Sequence, residues 1–288
     1  MDSTAGKKIN PLISLMRQPK IYIRLPSNGR YWSEGSLNTT TNGEYPVYSM
    51  TARDELMLKT PDALLNGQAV VDVIQSCMPN VNDAWAIPNI DLDVILVAIR
   101  LATFGENMDT TVSSVGAEEM TYTVNLREVL DRLQNQVSWE ERLEIGKEMV
   151  LYIKPINYTV ASQTSIQSFE TQKILSLVNN SQLTEEEKIE TFRESFKKLT
   201  AITVDVINSS VFRIESIAGT TEDPDHIKEF LENSDAHIFE SIKQHLEAMK
   251  ERNSIKPVKV KSSQEMIDKG APEEFEIPLT FDPANFFG

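Results

Sequence analysis

One cysteine and three histidines among 288 residues leave little material for redox or soft-metal chemistry. Cys77 has no partner for an internal disulfide and cannot found a cysteine-based zinc site. A thiol ending an apolar helix, with no histidine near it in sequence, reads as a buried structural group rather than a nucleophile. His237 and His245 lie two helical turns apart, too far for an i, i+4 metal pair, and His226 stands alone, so all three read as surface or packing residues. Positive charge is scarce as well: 28 Lys and Arg face 43 Asp and Glu, a net charge of −15. Such a surface repels phosphate backbones and anionic headgroups, which argues against nucleic-acid and membrane partners. Long apolar runs are missing too. The longest, Val94 to Phe104, is broken by Arg100 and falls far short of a membrane span. Met1 to Lys8 lead into no apolar stretch and do not read as a signal peptide, so synthesis in the cytoplasm is expected. No P-loop, G-x-G-x-x-G, H-E-x-x-H or G-x-S-x-G signature occurs. The expectation is a chain with no catalytic residues, no metal and no cofactor.

What is present divides unevenly. Residues 1–50 carry a charge of +3, residues 51–150 carry −10, and the remainder carries −8. Lys20 to Leu25 alternate as a strand closed by the turn Pro26-Ser27-Asn28-Gly29, and Tyr45 to Met50 read as a second strand with Pro46 at an edge or a strand start. Thr51 offers an N-cap to a short acidic helix around Asp54-Glu55-Leu56. Thr60-Pro61-Asp62 predicts the start of a helix running through Leu64, Val70, Val71 and Ile74 towards Cys77. Asn89 or Asp91 is expected to cap the next helix, Leu92 to Phe104, which Gly105 stops. That helix is apolar nearly all round and should sit inside a core. Asp91 and Asp93 are explained by capping at the positive end of the helix dipole. A hairpin follows at 110–112 and 121–124, and then helix at 126–134 and 139–148. In the latter, Glu140, Glu141, Glu144 and Glu148 beside Arg142 and Lys147 describe a solvated helix face rather than paired catalytic carboxylates.

From about 160 to 252 the pattern predicts almost unbroken helix, with a capping box at Thr184 and Glu187. Ile189, Phe192, Phe196 and Leu199 then follow at spacings of three and four. They read either as the seam of an intramolecular hairpin or as a row completed by a partner protein. The final stretch holds Phe281, Phe286 and Phe287, which either cover this chain's own core or anchor in another subunit. The expected fold class is α+β and mostly helical. The division runs as an N-terminal tail at 1–19, a small mixed core domain at 20–157, a helical segment or arm at 158–255, and a C-terminal β-hairpin with its aromatic tail at 256–288. Partner binding is expected at Ile189, Phe192, Phe196, Leu199, Phe286 and Phe287, on helices inserted between an N-terminal core and a returning tail that could pair with the N-terminal strands.

Several strings carry a family likeness. Leu25-Pro26-Ser27-Asn28-Gly29-Arg30-Tyr31-Trp32, Thr51 to Glu55, Leu58 to Gly67, Ile90 to Asp93, Ala98 to Gly105, Val124 to Arg127 and the terminal Phe281 to Phe287 resemble the baseplate hub assembly proteins of T-even-type contractile-tailed bacteriophages. The likeness covers roughly residues 20–137 and the tail, and the helical middle carries little of it. It implies a non-enzymatic role in assembly of the baseplate hub, as an assembly factor or chaperone for other tail proteins. A permanent structural subunit of the hub in the virion is the alternative, and a hydrolase with an unrecognised carboxylate site is the remote one. The implied partners are other tail or hub proteins, with the oligomeric state left open. The implied location is the host cytoplasm during assembly and then the virion tail. The family pattern places a Cys-x-x-Cys knuckle between the strands near 112 and 122. Here that loop reads Ser113-Ser114-Val115-Gly116-Ala117, so the likeness implies that zinc has been lost.

Overall fold

The computed structural model describes residues 16–59, 67–112, 120–135, 139–180, 184–262 and 273–277, together with Leu12 and Ile267. It is an α+β protein built around two hydrophobic cores. In the first, β1 (Pro19–Ile23) pairs antiparallel with β2 (Tyr45–Tyr48). Thr51 then caps α1 (Ala52–Leu58) through a capping box with Asp54, whose carboxylate accepts the Thr51 backbone N–H at 2.7 Å. Against these lie α2 (Gln68–Cys77) and α3 (Asn89–Phe104). Nine residues of α3 are buried, including Ile95 and Ile99, because its apolar side chains cover most of its circumference. Gly105, at φ 91, ends it. β3 (Asn107–Val112) and β4 (Met120–Asn125) form a hairpin, and Asn125 caps α4 (Leu126–Gln134), which packs on α3.

Three local expectations need correction here. The helix holding Val70, Val71, Ile74 and Cys77 begins at Gln68, after Gly67 turns the chain at φ 76; Thr60-Pro61-Asp62 lie outside the described residues. A Cβ on Gly67 would also come within 2.9 Å of Ser162 Oγ and 3.0 Å of the Tyr158 hydroxyl, so close packing and backbone hand both require glycine. The cap of α3 is Pro88, with Asn89 already helical and Asp91 in the first turn. Residues 139–148 are not helix. They contain β5 (Arg142–Ile145) and, after a turn at Gly146 (φ 62), lead into β6 (Met149–Ile153). Leu143 and Ile145 alternate as a strand does, whereas the glutamates spaced by four fit either period and misdirect the reading.

The second core rests on a four-stranded antiparallel sheet in the order β5-β6-β7-β8. β7 (Val211–Ser216) and β8 (Gly219–Thr221) fall within the stretch expected to be almost unbroken helix. β7 pairs with β6, so the sheet ties residues on the two sides of position 157 together. α7 (Pro224–Asn233), capped by Asp223, and α8 (Ala236–Asn253) cover the sheet. Leu151, Ile153, Ile207, Val211, Ile214, Ile227, Leu231 and Ile242 form the core between them. Two long helices, α5 (Tyr158–Asn180) and α6 (Glu185–Ser210), connect the cores. α5 starts at the first core, where Tyr158 stacks on Trp85 at 5.5 Å, and α6 ends in the second with Ile207. After α8 the chain returns as a hairpin of β9 (Val258–Lys261) and β10 (Glu274–Ile277). Val258 and Ile277 enter the first core beside β4, and β9 pairs with β10 rather than with β1 or β2.

Candidate functional site

Cys77 is wholly buried, and burial, with Asp54 nearby, pushes its thiol up to about 12, far from a reactive thiolate. His245 Nε2 lies 2.7 Å from the Glu140 carbonyl oxygen. Among the described residues no group of three or more His, Cys, Asp and Glu side chains could hold a metal ion, and no helix is long and apolar enough to cross a membrane. The loop Ser113 to Ala117 lies outside the described residues. Instead of sharing a solvated helix face, three of the glutamates take separate cations. Glu140 meets Arg252 at 3.2 Å, Glu144 meets Arg142 at 2.7 Å, and Glu141 bonds both Arg30 and the Tyr31 hydroxyl.

The residues around Glu141 form a joint that local patterns did not reveal. Asp91 is fully buried and accepts from the Ser27 backbone N–H at 2.8 Å, from the Ser27 hydroxyl, and from Trp32 Nε1 at 2.8 Å. One carboxylate thereby clips both ends of the loop from Ser27 to Trp32. Within it Asn28 and Tyr31 adopt φ of 53° and 68°, backbone space that non-glycine residues seldom occupy. That shape turns Arg30 and Tyr31 towards Glu141, next to β5 of the second core. Burial raises the Asp91 carboxyl to about 6 against the pull of its three donors. Burial and the bond to Glu141 raise the Tyr31 phenol as well, so Tyr31 stays a donor.

The expected partner row lies on α6. Ile189 is 56% exposed and Phe196 is 62% exposed, while Phe192 is half-buried and Leu199 follows one turn on. The side of α6 that is buried midway is marked by Ser195, and on α5 by Thr171; both are small polar residues that let two helices approach closely. That phase leaves Ile189 and Phe196 on the flank of the α5–α6 pair and not in its seam. Phe169 of α5, a helix that carries no clear apolar period, is 59% exposed. Phe286 and Phe287 lie outside the described residues. Two clefts adjoin these helices. One, of about 590 Å³, is bounded by α2, α3 and α5; the other, of about 380 Å³, is bounded by α3, α5, α6 and α8. Asn89 and Asp93 line both.

No curated protein and no solved structure matches this chain. The family model for the T4 bacteriophage base plate protein matches residues 16–275, which takes in the second core, the long helices, and all of the first core and returning hairpin up to the middle of β10. A match of that extent decides the matter: the chain belongs to the T4-type phage base plate protein family.

Proposed function

We propose that this protein acts without catalysis in building the baseplate hub, as an assembly factor or chaperone that holds other tail proteins in the host cytoplasm. The observation that carries this reading is the exposure of Ile189 and Phe196 on α6. Large apolar side chains grouped along one helix are a favourable contact surface for a partner, since their burial removes them from water and adds aromatic packing. Ile189, Phe192, Phe196 and Leu199 form the proposed contact row, with Phe286 and Phe287 as a second anchor. The net charge of −15 favours a basic protein partner over nucleic acid or an anionic membrane.

The test replaces two exposed residues together, Ile189→Ser and Phe196→Ser, in the full chain co-expressed with the other tail proteins of the same phage. The double variant should unfold within about 1 kcal/mol of the parent, as exposed positions do, and should lose co-purification with its partner at least tenfold. Unfolding or aggregation at ordinary temperature would instead mark the row as internal packing. The description of the family by the base plate itself favours a second reading, a permanent hub subunit. Mass spectrometry of purified virions separates the two: stoichiometric presence supports the subunit, and absence supports the assembly factor.

A further inference from the structure

We infer that the cleft between α3 and α5 receives a lysine or arginine side chain, together with its apolar stem, from a partner tail protein. The inference rests on reading the chain as a binder of other proteins, but it uses a surface distinct from the α6 row. Leu92 and Leu96 of α3 and Ile166 and Phe169 of α5 give the cleft apolar walls, and Phe169 is more than half exposed. Its charged groups are Asp93, Glu170 and Lys173, an acidic excess. Asp93 is half-buried and has no hydrogen-bond or ion-pair partner among the described residues. Neither Lys173 in this cleft nor Lys243 and Lys250 in the adjoining one reaches it. A carboxylate facing an apolar space without a donor is poorly solvated, and burial raises its pKa to about 6. A cation arriving on a methylene stem satisfies both features at once, because the stem covers the leucines while the head meets the carboxylate. A second copy of this chain is disfavoured as donor, since two bodies of charge −15 repel.

The inference predicts opposite effects of one substitution on stability and on binding. Asp93→Asn keeps the shape and removes the unpaired charge, so the free protein should melt a few degrees higher. A photo-activated benzoylphenylalanine at Ser165, an exposed residue lining the cleft, would be introduced into the full chain co-expressed with the other tail proteins. Sequencing of the cross-linked peptides should find a partner segment with Lys or Arg beside apolar residues. Asp93→Asn should cut the yield at least tenfold, and Asp93→Glu, which restores the charge, should recover most of it. Cross-links only to this chain's own residues, cross-links only to a second copy, or a yield indifferent to Asp93→Asn would each overturn the inference. The Ile189→Ser, Phe196→Ser variant leaves the cleft lining untouched, so the cross-link should persist there whatever that variant does to co-purification, and failure of the α6 reading is thereby distinguishable from failure of this one.

Discussion

Replacing Asp91 with asparagine tests the physical account of the clasp, because two opposing effects can be weighed. At neutral pH the carboxylate is ionised inside the first core, and its pKa of about 6, against an ordinary 3.8, measures the burden of that charge. The difference corresponds to about 3 kcal/mol by which the neutral acid is favoured over the carboxylate on folding. Asparagine is neutral and escapes this burden. It cannot, however, accept from all three donors. Its NH₂ must face either the Ser27 N–H or the Trp32 Nε1–H, which leaves a buried donor unpaired at about 1–3 kcal/mol. Near pH 7.5 the two effects roughly cancel, and the variant should lie within about 2 kcal/mol of the parent. The sign of the pH dependence follows from a folded-state pKa raised above the unfolded value. Protonation favours the folded form, so the contribution of Asp91 is full in acid and is lost as pH rises through about 6. Between pH 7.5 and 4.5 the parent should therefore gain about 2 kcal/mol relative to Asp91→Asn. Urea unfolding of both proteins at the two pH values gives that difference directly, and the titration of every other carboxylate cancels from it. A gap that stays constant within about 0.5 kcal/mol would refute the account.

Other expectations follow from the same packing. Ile99→Ala, at a wholly buried position on α3, should cost about 2–5 kcal/mol in urea unfolding; a loss under about 1 kcal/mol would make α3 peripheral. Cys77 should resist aromatic disulfide reagents in the native protein and react fully in urea, since its thiol is buried and pushed up to about 12. Glu141→Gln removes the charge that Arg30 and Tyr31 share, and hydrogen exchange should quicken at residues 28–32 and 141–145 with a global change of only about 1 kcal/mol. Chelators should leave the unfolding transition where it is, because one cysteine and three separated histidines cannot readily close a four-ligand site.

The parts of this fold that sequence reveals are those decided within one turn or one strand. Thr51 caps α1 as expected, Thr184 and Glu187 form the capping box their spacing predicts, and the all-round apolarity of α3 does place it at the centre of a core. Reading fails where a distant strand decides. Residues 139–148 carry glutamates at helical spacing, yet β6 is held between β5 and β7, and β7 lies some sixty residues downstream. Val211 to Ser216 extend a helical run without a break signal, and pairing with β6 and β8 makes them a strand. Asp91 illustrates the same limit at a single residue. Its place in the first turn of a helix explains a carboxylate there so well that local reasoning stops at the helix dipole. Its actual partners, Ser27 and Trp32, are brought to it by the fold.

That clasp also bears on where recognition of partners should be sought. The strings that carry the family likeness include Leu25 to Trp32 and Ile90 to Asp93, and these are the two sides of one buried arrangement: a loop and the carboxylate that pins both its ends. Thr51 to Glu55 caps α1, and Ala98 to Gly105 ends α3. Ser27, Trp32, Thr51 and Asp91 act within a scaffold, so this part of the likeness identifies a framework rather than a site. Phe169, Ile189 and Phe196, three of the exposed large apolar side chains, sit elsewhere, on α5 and α6, in the stretch where the strings are sparse. A framework in which Glu141 bonds to the loop of the first core, and a long helical pair connects the two cores, can vary its contact surface without disturbing either core. Substitutions on the outer flanks of α5 and α6 should accordingly alter which tail protein is bound. Substitutions at Ser27 or Trp32, which remove a donor from the buried Asp91 carboxylate, should instead lower stability by about 1–3 kcal/mol.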